Sequence, residues 1–191
     1  MPSLKRTFLL AVLLGLVVVI SVAATKWPAK KSHVLTKPLA ASVWVTEQID
    51  PRQLADIKSQ GFRSVVDLRP DGEVRNQPAS PDVGRAAQQA GLAFSYVPVP
   101  HGNVPASSVD MLGAVLQHAD RPILLYCRSG HRAARTWALA EASRPGGLNA
   151  ADIESAVRGS GQSADDLNGQ IMARISSRPM VDQGASIHGD H

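Results

Sequence analysis

The chain predicts an α/β layered fold, a central sheet flanked by helices. Three observations carry this. Between residues 42 and 143, short apolar runs alternate with segments whose apolar residues recur at helical spacing. Turn and cap signals mark the changes: Asp50-Pro51, Gly61, Ser80-Pro81 and Gly91. The only cysteine, Cys127, stands where an apolar run ends and an Ala-rich helix begins. The carboxyl end of a strand is where open α/β sheets bind ligands.

In order, Lys5-Arg6 precede an uncharged apolar run, 8–24, that closes on Val22-Ala23-Ala24. A basic start, an apolar centre and small residues fit a signal peptide; the length also fits a membrane anchor. Residues 1–26 are therefore expected to export or anchor the protein at a membrane. Cationic Lys26, Lys30 and Lys31 follow the run, so charge leaves orientation open, with the domain expected outside the cytoplasm. Residues 27–41, carrying Lys, Pro and Ser, read as a linker. SVWVT, 42–46, alternates and predicts the first strand. Asp50-Pro51 opens a helix with Leu54, Ala55 and Ile57 on one face, and Gly61 ends it. FRSVVDL, 62–68, is the second strand.

Residues 69–80 hold three Pro or Gly residues and several charges, and predict a loop. A helix from Ser80-Pro81 to Ala90 follows, then a strand over 92–99. Residues 107–118 predict a helix with Val109, Leu112, Val115 and Leu116 on its buried face. The run 123–126, ILLY, is a buried strand, and 133–143 a helix. Pro145-Gly146-Gly147 break the chain. Asn149 and Ser163 then cap two short helices, 150–157 and 164–175, expected to pack on one side of the sheet. The domain spans 42–176, and 177–191 reads as a disordered tail.

Composition narrows the function. One cysteine excludes an internal disulfide. No His/Cys spacing suggests a metal, and His188 and His191 stand in the polar tail; no cofactor is expected. The net charge of +4 comes from six Lys and Arg before residue 40; beyond it, 14 basic residues face 16 acidic ones. A nucleic-acid surface is poorly supported.

Chemistry concentrates in Cys127-Arg128-Ser129-Gly130-His131-Arg132. A loop wrapping into a helix N-terminus aims several backbone N–H groups at one spot. Gly130 allows the turn, and Arg132 adds a planar cationic fork. Such surroundings favour the thiolate, the nucleophilic form. Cys127 and Arg132 are the catalytic candidates. Arg128, Ser129, Gly130 and His131 would bind a small anionic substrate. A lone cysteine is more often a small buried hydrophobe, but the strand–loop–helix context argues for function here.

CRSGHRA resembles the active loops of cysteine-based phosphatases and rhodaneses. The phosphatases use C-x5-R; this C-x4-R loop is similar to the rhodanese form. VTEQIDPRQLADIKSQGFRSVVDLRPDGE, 45–73, and GLAFSYVPVP, 91–100, resemble the phosphatase-like domain of beta-lactamase-hydrolase-like proteins. That bacterial resemblance spans 42–175. It implies a dual-specificity-phosphatase type of fold and a sulfurtransferase label; in a bacterium the N-terminal segment would then put the domain at the inner membrane or in the periplasm. It also puts the 69–80 loop at the mouth of the site, with Asp67, Arg69 and Glu73 as candidates to orient Arg132 and Arg69 as a possible substrate ligand.

Three functions follow: sulfur transfer through a Cys127 persulfide to an acceptor thiol, phosphoester hydrolysis through a cysteinyl phosphate, and non-catalytic anion binding or redox sensing. A phosphatase must protonate its leaving oxygen. The stretch 98–103, PVPHGN, carries no carboxylate where dual-specificity phosphatases place an Asp; Asp110 is inside a predicted helix, and His101 is the alternative acid. Sulfite leaves without a proton. Loop length and the absent carboxylate therefore favour sulfur transfer over phosphoester hydrolysis.

Overall fold

The computed structural model describes residues 33–179. Residues 1–26 lie outside them, as does most of the stretch 177–191. Five strands form one sheet: β1 (Lys37–Ala40), β2 (Val43–Thr46), β3 (Ser64–Asp67), β4 (Ala93–Tyr96) and β5 (Ile123–Tyr126). Their order is β1-β2-β5-β3-β4, with β1 antiparallel to β2 and every other pair parallel. β5, which leads into Cys127, is therefore the central strand. Its four residues are fully buried, as a strand covered on both faces requires.

Among the described residues, six α-helices accompany the sheet: α1 (Leu54–Ser59), α2 (Ser80–Gln89), α3 (Ala106–His118), α4 (His131–Ser143), α5 (Ala150–Gly159) and α6 (Asn168–Ser176). Alternation along the strands divides the core in two. Val66, Ile123 and Leu125 point to the face covered by α3 to α6, where Trp137, Leu139, Ile153 and Ile171 pack. Val65, Leu124 and Tyr126 point to the other face, against Leu54, Ile57, Val83 and Ala87 of α1 and α2. α5 and α6 pack on α4. Among the described residues, no helix is long and apolar enough to cross a membrane.

Two boundaries differ from the sequence expectation. The sheet begins inside the stretch read as a linker, because β1 occupies Lys37–Ala40 with Leu39 buried. Pro38 disguises this strand; as an edge, with a register shift between Pro38 and Ala40, it tolerates the missing donor. At the other end Arg178, read as tail, is anchored. Its guanidinium donates to the carbonyls of Glu141, Ala142, Gly147 and Leu148 at 2.7 to 2.9 Å. These are carbonyls at and just beyond the end of α4, the group a helix C-terminus leaves unpaired. Gly147 makes that closure possible, since a Cβ there would lie 2.9 Å from the Arg144 carbonyl. The helix expected over 164–175 opens as a 3-10 turn, Asp165–Leu167, before α6.

Candidate active site

The loop that follows β5 turns sharply. Gly130 has φ +81° and caps α4; a Cβ there would also press on Gln162 at 3.2 Å and on the Thr46 carbonyl at 3.4 Å. Two contacts turn the loop's carbonyls outward. Arg128 O accepts from the Gln48 amide at 3.3 Å, and Ser129 O accepts from Gln162 Nε2 at 3.0 Å. In a trans peptide the N–H opposes the carbonyl, so the N–H groups of Ser129 and Gly130 face the other way. Among the described residues, those two and the Arg128 N–H have no acceptor. Cys127, which immediately precedes them in the chain, is 1% exposed.

Arg132, in the first turn of α4, reaches back to the same thiol. Its NH2 donates to Glu73 Oε2 at 2.9 Å and its NH1 to the Val99 carbonyl at 2.7 Å, with a further bond to Glu73 Oε1. Burial opposes the guanidinium's charge, but the bond to Glu73 and the field of Cys127 outweigh it and raise its pKa. Glu73 is held at about 2, first by the bond from Arg132 and against burial, with Arg69 adding to the effect. Of the three residues proposed to orient Arg132, Glu73 is therefore the one that touches it.

The structure pairs Arg69, expected as a substrate ligand, with protein partners. It is 5% exposed, and it donates through Nε to Glu73 Oε2 at 2.8 Å and through NH1 to Gln48 Oε1 at 2.9 Å. It braces Glu73 from behind. Asp67 in turn accepts the Arg69 N–H at 2.8 Å. Burial pushes the Asp67 carboxyl up to about 6, against the pull of that N–H, and burial with Asp67 nearby pushes the Tyr126 phenol up as well. The Tyr126 hydroxyl is buried with no partner in hydrogen-bonding geometry.

Above the loop lies a cleft of about 420 Å³. The loop and α4 supply Arg128, Ser129, His131, Arg132 and Arg135; the turn after β4 supplies His101 and Asn103; Asp166 closes it from the 3-10 turn before α6. Of the residues singled out in sequence, Arg128, Ser129, His131 and Arg132 thus line this cleft, whereas Gly130 lines a neighbouring hollow with Ser129 and the buried Cys127 lines neither. Asp166 is paired with Arg135, whose NH2 lies 2.7 Å from Oδ2, and this pairing lowers its pKa. Asp110, on α3, lines a separate hollow of about 620 Å³ floored by Trp137 at the opposite ends of the strands. That larger hollow contains no residue of the cysteine loop. Among the described residues, no three His, Cys, Asp or Glu side chains converge as metal ligands.

Sequence reasoning missed Gln48, Gln162, Arg135 and Asp166. Arg135 carries one weak signal, since it lies one helical turn beyond His131 and shares its face. The others come from remote segments and have none.

A beta-lactamase hydrolase-like protein of Xylella fastidiosa is 32% identical over 97 residues, covering 51% of this chain and 22% of its own length. The chain therefore spans about a fifth of the curated relatives it matches. A solved structure of a candidate phosphatase from Neisseria meningitidis superposes with a TM-score of 0.63 at 22% identity, covering 72% of this chain and 96% of that one. A kinase-associated phosphatase superposes at 0.57 with 15% identity, over 77% and 97% of the two chains. These neighbours share the fold of cysteine-based, dual-specificity-type phosphatases, which bears out the fold class read from the sequence. The model of the beta-lactamase hydrolase-like protein, phosphatase-like domain family matches residues 35–144, and the chain belongs to that family.

Proposed function

We propose that the chain is a cysteine-dependent phosphoester hydrolase. The observation that carries this reading is one thiol, Cys127, at the start of a loop with acceptor-free N–H groups and beside an Arg132 fork fixed by Glu73 and the Val99 carbonyl. A phosphoryl group in transfer spreads charge over three equatorial oxygens. Amides and a planar guanidinium match that charge without rearranging. Family membership weighs on the same side, which loop length alone places second.

The Cys127 thiolate attacks phosphorus. An S–P bond forms while the ester P–O bond breaks, and the leaving oxygen takes a proton. Water then attacks the cysteinyl phosphate and gives up a proton to the group that supplied the first one; its oxygen joins phosphorus, the S–P bond breaks and the thiolate returns. His101 supplies the first proton, because the turn after β4 places it in the cleft. Asp166 is unsuited to this, being held ionised by Arg135.

A second reading, sulfur transfer, is favoured by the C-x4-R loop and by the absence of a carboxylate from 98–103. Mass spectrometry separates the two. Phenyl phosphate should turn over and Cys127→Ser should abolish turnover. Thiosulfate should leave the protein's mass unchanged. A gain of one sulfur on Cys127, with no phosphate released from phenyl phosphate, would replace hydrolysis by sulfur transfer.

A further inference from the structure

We propose that the cleft selects a small polyanion: a phosphate monoester with a second anionic group, phosphate or carboxylate, held by Arg128 and His131 while the first phosphate occupies the loop. The proposal rests on the phosphoester reading and adds the substrate class. It starts from the charges that line the cleft. Arg132 is committed to Glu73, and Arg135 to Asp166. Arg128 is different. It is exposed, it lines the same cleft, and among the described residues no carboxylate lies within ion-pairing distance. The exposed His131 stands three residues further on, and the exposed His101 faces the cleft from the turn after β4. The one carboxylate in the wall, Asp166, is already neutralised by its partner.

Shape and polarity limit what the remaining space can take. The volume of about 420 Å³ falls in the range of small-molecule sites and exceeds what one phosphate fills. Sites for aromatic or aliphatic bodies are lined mainly by apolar side chains. Here Pro100 and Val104 are the only large apolar residues of the wall. The loop amides and Arg132 serve the reacting phosphate, which leaves Arg128 unused by the chemistry. A guanidinium with free donors is the group that forms bidentate pairs with a phosphate or carboxylate. Walls on two sides, from 100–104 and from Ser163 and Asp166, favour a compact ligand over an extended chain.

The test is a calorimetric titration of Cys127→Ser protein, which cannot turn over, with inorganic phosphate and with tripolyphosphate. Tripolyphosphate should bind at least about tenfold tighter, the scale of a single good charge-assisted pair. Adding Arg128→Gln should cut that ratio to about twofold or less, and adding His131→Gln should lower it by a smaller factor. Arg128 is exposed, so an unchanged melting temperature checks that the variant is folded. Equal affinity for the two anions would overturn the proposal, as would a ratio that survives Arg128→Gln. An acidic phosphopeptide binding tighter than tripolyphosphate would also overturn it, by moving the second anion outside the cleft. Hydrolysis is read separately, with phenyl phosphate and the native protein, so its failure cannot be mistaken for failure of the subsite.

Discussion

Glu73 faces two guanidinium groups, Arg69 behind it and Arg132 in front. A carboxylate shared in this way fixes the angle of the Arg132 fork relative to Cys127. Glu73→Gln keeps the shape but removes the charge that both arginines pair with. Turnover of phenyl phosphate should fall about 10²-fold, the scale of a small misplacement of a catalytic group. The loss should appear in kcat more than in KM, whereas a merely structural role would leave both unchanged in the folded fraction. Because the Glu73 pKa is lowered from 4.5 to about 2, its stabilising contribution is present above 4.5 and is lost as pH falls toward 2. Asp67 has the opposite sign. Its pKa is raised from 3.8 to about 6, so its contribution is present below 3.8 and is lost as pH rises through 6. Asp67→Asn should therefore gain on the native protein between pH 4 and 7, by up to about 3 kcal/mol. Melting temperatures of both proteins across that range would show it, and a constant difference would contradict the assignment.

At the scale of elements, the loop between β5 and α4 was legible because it is contiguous. ILLY, the lone cysteine, Gly130 and Arg132 lie within ten residues, and each has a local reason to be where it is. What supports the loop was not legible. Gln48 follows β2, Val99 follows β4, and Gln162 follows α5, so only the sheet order brings them to one end. The family resemblance narrowed the partner of Arg132 to Asp67, Arg69 or Glu73; distance chose Glu73. β1 escaped because Lys37 and Pro38 mask a strand whose evidence is its pairing with β2. The end of α4 was missed for a related reason: Arg178 works through carbonyls some thirty residues earlier. Arg178→Ala should lower stability by about 1.5–3 kcal/mol, the value of hydrogen bonds to a charged group. A shifted urea midpoint would measure it, with phenyl phosphate turnover unchanged in the folded protein, since Arg178 lies far from the cleft.

The whole molecule is a sheet with two unequal sides. α1 and α2 cover one; four helices cover the other, and Trp137, 1% exposed, is the largest residue in that thicker layer. Trp137→Ala should cost about 3–5 kcal/mol, as large-to-small changes of buried aromatics do. A denaturant midpoint near that of the native protein would mean the larger hollow beside Trp137 lets the layer collapse. The antiparallel direction of β1 has another consequence. The other four strands finish at the cysteine loop, so a strand running against them starts there. Thr46 Oγ1 donates to Leu35 O at 2.8 Å, and Leu35 and Lys37 share a hollow with Ser129 and Gly130. Arg178, by contrast, is fastened beside the carbonyls at the far end of α4. The first described residues therefore stand beside the cysteine loop, and the last stand at the opposite end of α4.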